Sequence, residues 1–213
     1  MFVDAVQHTS EPLTGLDEGM LDADPFAQFS QWLADAEAAG LPQPNAMVLA
    51  TVNEAGQPRA RTVLLKSHGP DGFVFYTNRT SRKGQDLAAN PRACLQFPWF
   101  AMHRQVIIEG AVRAMSQQES EPYFRSRPRG SQLGAWASRQ SSVLGSRAEM
   151  EERYAELERR WPPGTVMPMP DFWGGYLLTP QSLEFWQGRV NRLHDRLRYR
   201  PSGNAWAVER LSP

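Results

Sequence analysis

The chain has 213 residues, with 23 basic and 23 acidic side chains and one cysteine. That length suits one domain with a real core, and zero net charge argues against a general nucleic-acid binder. The lone Cys94 excludes an internal disulfide or a thiolate zinc cluster and fits a cytoplasmic setting.

No apolar run approaches the length of a membrane span, so no membrane partner is expected. The acidic start MFVDAVQHTSEPLTGLDEG lacks the basic and apolar regions of a signal peptide. Residues 1–23 have little periodicity and are expected to form a mobile arm, with one domain over 24–213. Asp24-Pro25 is a capping residue followed by proline at the first helical position. Phe26, Phe29, Trp32, Leu33 and Ala36 then recur at helical spacing, which predicts an amphipathic helix ending near Gly40. Three short strands follow at AMVLATV (46–52), RARTVLLKS (59–67) and FVFYT (73–77), joined by the turns NEAGQ and HGPDG and therefore antiparallel.

A short helix is predicted over 81–90, then strands at 93–99 and 104–115. Ser116 and Glu119 have the spacing of a capping box, opening a helix toward Ser126, and a charged helix runs from about Ser146 to Trp161. After the proline-rich loop PPGTVMPMP, strands are expected at GGYLLTP, SLEFWQG, RLHDRLRYR and AWAVERL. The pattern is α+β, a mostly antiparallel barrel decorated with helices.

Four stretches carry residues suited to chemistry. In RTVLLK, Arg61 and Lys66 lie five positions apart and so face opposite sides of a regular strand; they serve different ligand groups, or the same ligand near a strand end where the pleat is distorted, or guard a strand edge. In YTNRTSRKG, Arg82 and Lys83 sit in the first turn of a helix, where cations oppose the dipole unless an anion joins them, which points to a phosphate. In YFRSRPRGSQLGAWASRQSS, Arg125, Arg127 and Arg129 alternate with small residues. Ser131, Ser138, Ser141 and Ser142 add hydroxyls, together suiting an oxyanion, with an RNA-binding loop as the competing reading. In EFWQGRVNRLHDRLRYR, Arg192, His194 and Arg196 fall on one face if the segment is a strand. Leu193, Asp195 and Leu197 then pack or brace it from behind; a solvated basic strand is the alternative. Gln105, in the apolar QVIIEG, needs partners for its amide, from a heterocycle edge or from a neighbouring backbone. His8, His68 and His103 lack metal-ligand spacing, so no metal site is expected.

RTVLLK, FYTNRTSRKG, NPRACLQFPW, RQVIIEG, YFRSRPRGSQLGAWASRQS, FWGGY and EFWQGRVNRLHDRLRY together resemble the pyridoxine/pyridoxamine 5′-phosphate oxidase family over about Asp24 to Pro213. The resemblance implies a split β-barrel homodimer with FMN at the subunit interface. It would oxidise pyridoxine 5′-phosphate or pyridoxamine 5′-phosphate to pyridoxal 5′-phosphate, with O2 as acceptor and H2O2 as product. It places FMN against Arg61, Thr62, Val63, Leu64, Leu65, Lys66, Tyr76, Thr77, Arg82, Lys83, Gln105, Gln140, Ser141, Trp186 and Arg196. It places the substrate against Lys66, Tyr123, Arg127, Ser131, Arg192 and His194, with Arg192 and His194 nearest the chemistry. Many members close an N-terminal Arg and Tyr over the substrate, and HTSEPLTGLDEG has neither. The rivals are a related flavin oxidase of the phenazine-biosynthesis type and a non-catalytic flavin or pyridoxal-phosphate binding protein.

Overall fold

The computed structural model describes residues 15–213, so most of the expected arm, and His8 with it, lies outside the described residues. Helix α1 (Pro25–Ala38) starts where the cap predicts, with the Asp24 carboxylate accepting the Phe26 N–H at 3.0 Å. Its apolar face drives Phe26, Phe29 and Trp32 into the barrel. Phe29 is fully buried, with its ring 5.0 Å from Phe73 and 4.9 Å from Phe97, and Trp32 meets Phe185 at 5.1 Å. Each such ring stabilises the fold by about 2–3 kcal/mol through removal of apolar area from water.

Among the described residues, nine strands form one curled antiparallel sheet: β1 (Ala46–Val52), β2 (Pro58–Leu64), β3 (Ser67–Gly69), β4 (Gly72–Asn78), β5 (Arg92–Trp99), β6 (Arg104–Ala114), β7 (Trp173–Gln187), β8 (Asp195–Ser202) and β9 (Ala205–Arg210). The order is β2-β1-β5-β6-β7-β4-β3, with β8 and β9 continuing from β7. β2 and β3 lie at opposite ends of that path yet are consecutive in the chain, so residues 58–69 close the barrel. The corner is visible in the backbone. Leu65 N–H bonds Asn45 O at 2.9 Å, on the β1 side, and Lys66 N–H bonds Val74 O at 2.9 Å, on the β4 side. The expected single strand over 59–67 is therefore two strands around a bend. Conversely, GGYLLTP and SLEFWQG form the single strand β7. Its register against β6 shifts between Glu109/Gly110, where Glu109 pairs Ser182 and Gly110 pairs Pro180, and such a bulge is where a strand accommodates proline.

Among the described residues, five α-helices accompany the sheet. α2 (Arg82–Ala89) is capped by Ser81 and α3 (Gln117–Ser126) has the predicted capping box of Ser116 and Glu119. α5 (Arg147–Arg160) begins after Ser146. α4 (Arg129–Ala137) was not foreseen as a helix. A small second core of Phe124, Leu133, Met167 and Trp173 lies beneath α3, α4 and α5. No helix of the described residues is long and apolar enough to cross a membrane.

Residues 15–23 lie against the barrel. Leu16 is buried and its N–H bonds Asp195 Oδ2 at 3.0 Å, while Glu18 pairs with Arg210 at 2.7 Å and Tyr199 donates to Asp22 O at 2.7 Å.

Candidate functional site

A cavity of about 550 Å³ opens where the barrel corner meets α3 and α4. Thr62, Val63, Leu64 and Lys66 bring in the corner, and Tyr76, Thr77 and Asn78 the end of β4. Lys83 comes from α2, Tyr123 and Arg127 from the α3 end, and Ser131, Ser138 and Gln140 from α4 and the loop after it. One wall is aromatic: Tyr76 stacks on Tyr123 at 4.1 Å and on Trp173 at 5.3 Å. The small Gly134 and Ala135 also line the cavity.

Cations surround that wall. Lys66 Nζ lies 5.8 Å from the Tyr123 centroid, and the Arg127 guanidinium sits 4.8 Å over Trp173. Arg127 Nη1 is buried with no hydrogen-bond partner among the described residues, and burial pushes the guanidinium's pKa down. Arginine still keeps its proton in proteins, so this is a buried donor awaiting an acceptor, costly to leave unmet. Gln140 Oε1 accepts from Thr77 Oγ1 at 2.9 Å and from Lys83 Nζ at 2.9 Å, fastening the loop after α4 to β4 and α2.

Lys83 also lines a neighbouring cradle of about 420 Å³, with Arg59, Ala60, Arg61, Arg82 and Ser141. Every charged residue lining it, among the described residues, is a cation. Burial first, and then Arg61, lower the Lys83 pKa. Ser141 holds φ at 73°, in the left-handed region a non-glycine residue rarely occupies without a local reason. This cradle suits a phosphate monoester, with its charge near −2 and three acceptor oxygens. Arg61, on β2, and Lys66, past the bend, line different cavities. Leu65, between them, turns into the core at 4 % exposure.

A third group stands apart from both cavities. Gln105, Trp186 and Arg196 are in register across β6, β7 and β8. Gln105 accepts from Gln96, Arg196 pairs with Glu184 at 2.8 Å, and Trp186 meets the His194 ring at 4.6 Å. The Gln105 amide thus finds a neighbouring side chain rather than a backbone.

The structure corrects the expected Arg192, His194, Arg196 strand. Pairing of β7 with β8 ends at Gln187 and Asp195, so residues 188–194 are the hairpin loop. Val190–Arg192 form a 3₁₀ turn, with φ at 57° for Asn191 and 59° for Arg192. An antiparallel hairpin needs such a connection, and Gly188 and Asn191 suit it. Leu193 does not pack from behind: it is 68 % exposed. Leu197 is fully buried, and Asp195 braces the loop through Arg189 at 3.6 Å while binding Arg210 at 2.9 Å and Leu16 N–H. The loop fixes one proton: His194 Nδ1 accepts the Arg189 N–H at 3.1 Å, so the neutral ring carries its hydrogen on Nε2.

The alternating arginines are likewise divided. Arg125 pairs with Glu121 on the outside of α3 and Arg129 opens α4, so of the three only Arg127 lines the cavity. Ser142 turns back onto Arg139 O. Arg59, Asn78, Trp173 and Asp86, which reaches Arg59 and Arg61, were not singled out in the sequence. Arg59 carried a usable signal, standing two residues before Arg61 and hence on the same strand face.

A family model described as pyridoxamine 5′-phosphate oxidase matches residues 33–160. A second, described as the pyridoxine 5′-phosphate oxidase C-terminal dimerisation region, matches residues 173–213. The chain belongs to the pyridoxine/pyridoxamine 5′-phosphate oxidase family. It is therefore an oxidoreductase, and its sheet is the family's split barrel. A pyridoxine/pyridoxamine 5′-phosphate oxidase from Bordetella petrii is 54% identical, covering 100% of both chains. One from Salinispora arenicola is 54% identical over 93% of this chain and 90% of its own length. Among solved structures, PhzG from Burkholderia lata, in complex with tetrahydrophenazine-1-carboxylic acid, superposes with a TM-score of 0.87. It is 30% identical, covering 95% of this chain and 100% of that one.

Proposed function

We propose that this chain is an FMN-dependent oxidase converting pyridoxine 5′-phosphate or pyridoxamine 5′-phosphate to pyridoxal 5′-phosphate, with O2 as acceptor, H2O2 as product, in the cytoplasm. The observation that carries the reading is the convergence of Lys66, Tyr123, Arg127 and Ser131 on one cavity, with an unpartnered buried Arg127 nitrogen among them. That set fits the phosphate of a B6 vitamer. The adjacent all-cation cradle fits the phosphate of FMN.

Bound FMN would supply a hydride acceptor that dioxygen regenerates. The chain's own residues bind and orient. Arg61, Arg82, Lys83 and Ser141 would hold the cofactor phosphate, with Thr62 to Lys66, Tyr76, Thr77 and Gln140 along its body. Lys66, Tyr123, Arg127 and Ser131 would clamp the substrate phosphate, fixing the distance of the reacting carbon by binding energy remote from it. His194 acts as a donor through Nε2, since Nδ1 is already an acceptor for the loop backbone. Arg192, in the same loop, would cover the substrate ring and steady developing charge.

Gln105, Trp186, Arg192, His194 and Arg196 line neither cavity of their own chain. A homodimer resolves this: a second copy would bring them over the flavin. Support comes from the family's dimerisation region, whose match over residues 173–213 holds four of the five.

The phenazine-type alternative is favoured by the PhzG likeness, but a four-residue phosphate clamp has no use on an unphosphorylated substrate. The test is oxygen uptake by purified, yellow protein given pyridoxine 5′-phosphate or unphosphorylated pyridoxine. Uptake should require the phosphate. A protein that takes up no flavin sinks the oxidase reading, and flavin binding without oxygen uptake leaves a binding protein.

A further inference from the structure

Arg59 lines the cation cradle on the same face of β2 as Arg61. It stands opposite Thr51 on β1, as Arg61 stands opposite Leu49, and both partners point inward at 1% and 0% exposure. Its Nη1 reaches Asp86 Oδ1 at 2.9 Å. The other oxygen of Asp86 accepts from Thr51 Oγ1 at 2.7 Å and faces Arg61 Nη2 at 3.5 Å. Arg61 is held further by Nη1, which donates to Leu49 O at 3.0 Å and to Thr51 Oγ1 at 2.7 Å.

The Asp86 side chain is 2% exposed, so its charge is tolerable only because it is paired. It lies on α2 just past Lys83, the helix whose first turn supplies Arg82 and Lys83 to the cradle. One buried carboxylate thus ties both arginines of β2 to that helix. A guanidinium has five N–H donors in a planar fork, and the Asp86 bond occupies one of those on Arg59. Arg59 lines the cradle beside Arg61, Arg82 and Lys83. A neutral hydroxyl would leave this group of cations uncompensated, whereas a phosphate dianion answers it.

We propose that Arg59, positioned by Asp86, is a further contact to the flavin phosphate, and that this arrangement makes the chain select phosphorylated flavin over its unphosphorylated form. The assignment rests on the proposed FMN function. Arg59 binds; Asp86 is a positioning residue that acts through it and through Arg61.

The test is titration of flavin-free protein with FMN and, separately, with riboflavin, followed by quenching of flavin fluorescence. Arg59→Gln should weaken FMN binding about tenfold and leave riboflavin within about twofold, which also reports that the site still folds. Asp86→Asn separates positioning from charge. Removing a negative charge would by Coulomb's law alone strengthen FMN binding, whereas loss of the anchor weakens it, again with riboflavin unchanged. Arg59→Gln with FMN affinity unchanged, or with both flavins weakened alike, overturns the Arg59 assignment. Tighter FMN binding by Asp86→Asn overturns the positioning role. A parent protein that binds neither flavin overturns the proposed function and this inference together, while one that binds FMN with no effect of Arg59→Gln overturns this inference alone.

Discussion

Replacing Arg127 with alanine tests the substrate clamp most directly. The guanidinium is half-buried, lies 4.8 Å over Trp173 and 5.9 Å from the Phe124 centroid, and carries the unpartnered Nη1. A hydrogen bond to a charged acceptor is worth about 1.5–3 kcal/mol. Arg127→Ala should therefore lower kcat/KM for pyridoxine 5′-phosphate by roughly ten- to hundredfold. The folded protein itself loses two cation–π contacts of about 0.5–2 kcal/mol each, offset by no longer burying an unmet donor, so the melting temperature should move little. Steady-state oxygen uptake with phosphorylated and unphosphorylated pyridoxine, beside a thermal melt, separates the two effects. The loss should be confined to the phosphorylated substrate. A change under threefold, or an equal loss on both substrates, would remove Arg127 from the phosphate clamp.

Gly84→Ala should abolish flavin uptake and destabilise α2. A Cβ there would stand 2.1 Å from the Arg79 carbonyl oxygen, backbone that cannot yield without moving the turn carrying Lys83; normal flavin content in the variant would contradict this. The Cys94 thiol is raised to about 11, chiefly by burial. At pH 8 its thiolate is about a hundredfold scarcer than that of a thiol at 9.0. Alkylation by iodoacetamide should be slower by at least that factor in native than in unfolded protein, and comparable rates would refute the burial. Arg210 holds the Glu18 carboxyl down to about 2, against 4.5 ordinarily. A depressed folded pKa adds stability above the unfolded value and loses it as pH falls through the folded one. The melting-temperature gap between the parent and Glu18→Gln should thus be full above pH 4.5 and close toward pH 2. A gap that persists below that, or closes near neutrality, would refute the pairing.

Local signals carried much of this fold. The Asp24-Pro25 start, the Ser116/Glu119 box and the NEAGQ turn between β1 and β2 each act within a few residues and are readable in the sequence. Parity arguments failed where the chain bends. Arg192 and His194 have strand spacing, but whether 188–194 pairs or loops depends on where β7 finds β8, a matter of tertiary register. Helix α4 is masked by Arg129, Ser131 and two glycines, Gly130 and Gly134, which weaken its helical signal. Its inward face, Leu133 and Ala137, has the helical spacing that periodicity alone would have shown. Asp86 was unreadable because its partners lie on strands 27 and 35 residues away.

The bend at Leu65 and Lys66 explains why both anion sites adjoin. Before it, β2 is bonded to β1 and turns Arg59 and Arg61 toward α2; after it, the chain is bonded to β4 and Lys66 faces the α3 aromatic wall. A straight strand carrying Arg61 and Lys66 five positions apart would send them to opposite faces of the sheet, with no shared space. Because the corner changes the strand's neighbour rather than its direction alone, the opposite faces open onto adjoining cavities, joined at Lys83, which lines both. Closure of the barrel and juxtaposition of the two phosphate-binding groups are thus one structural event. A substitution that straightens the corner should lose both together, whereas Arg59→Gln and Arg127→Ala should each lose one.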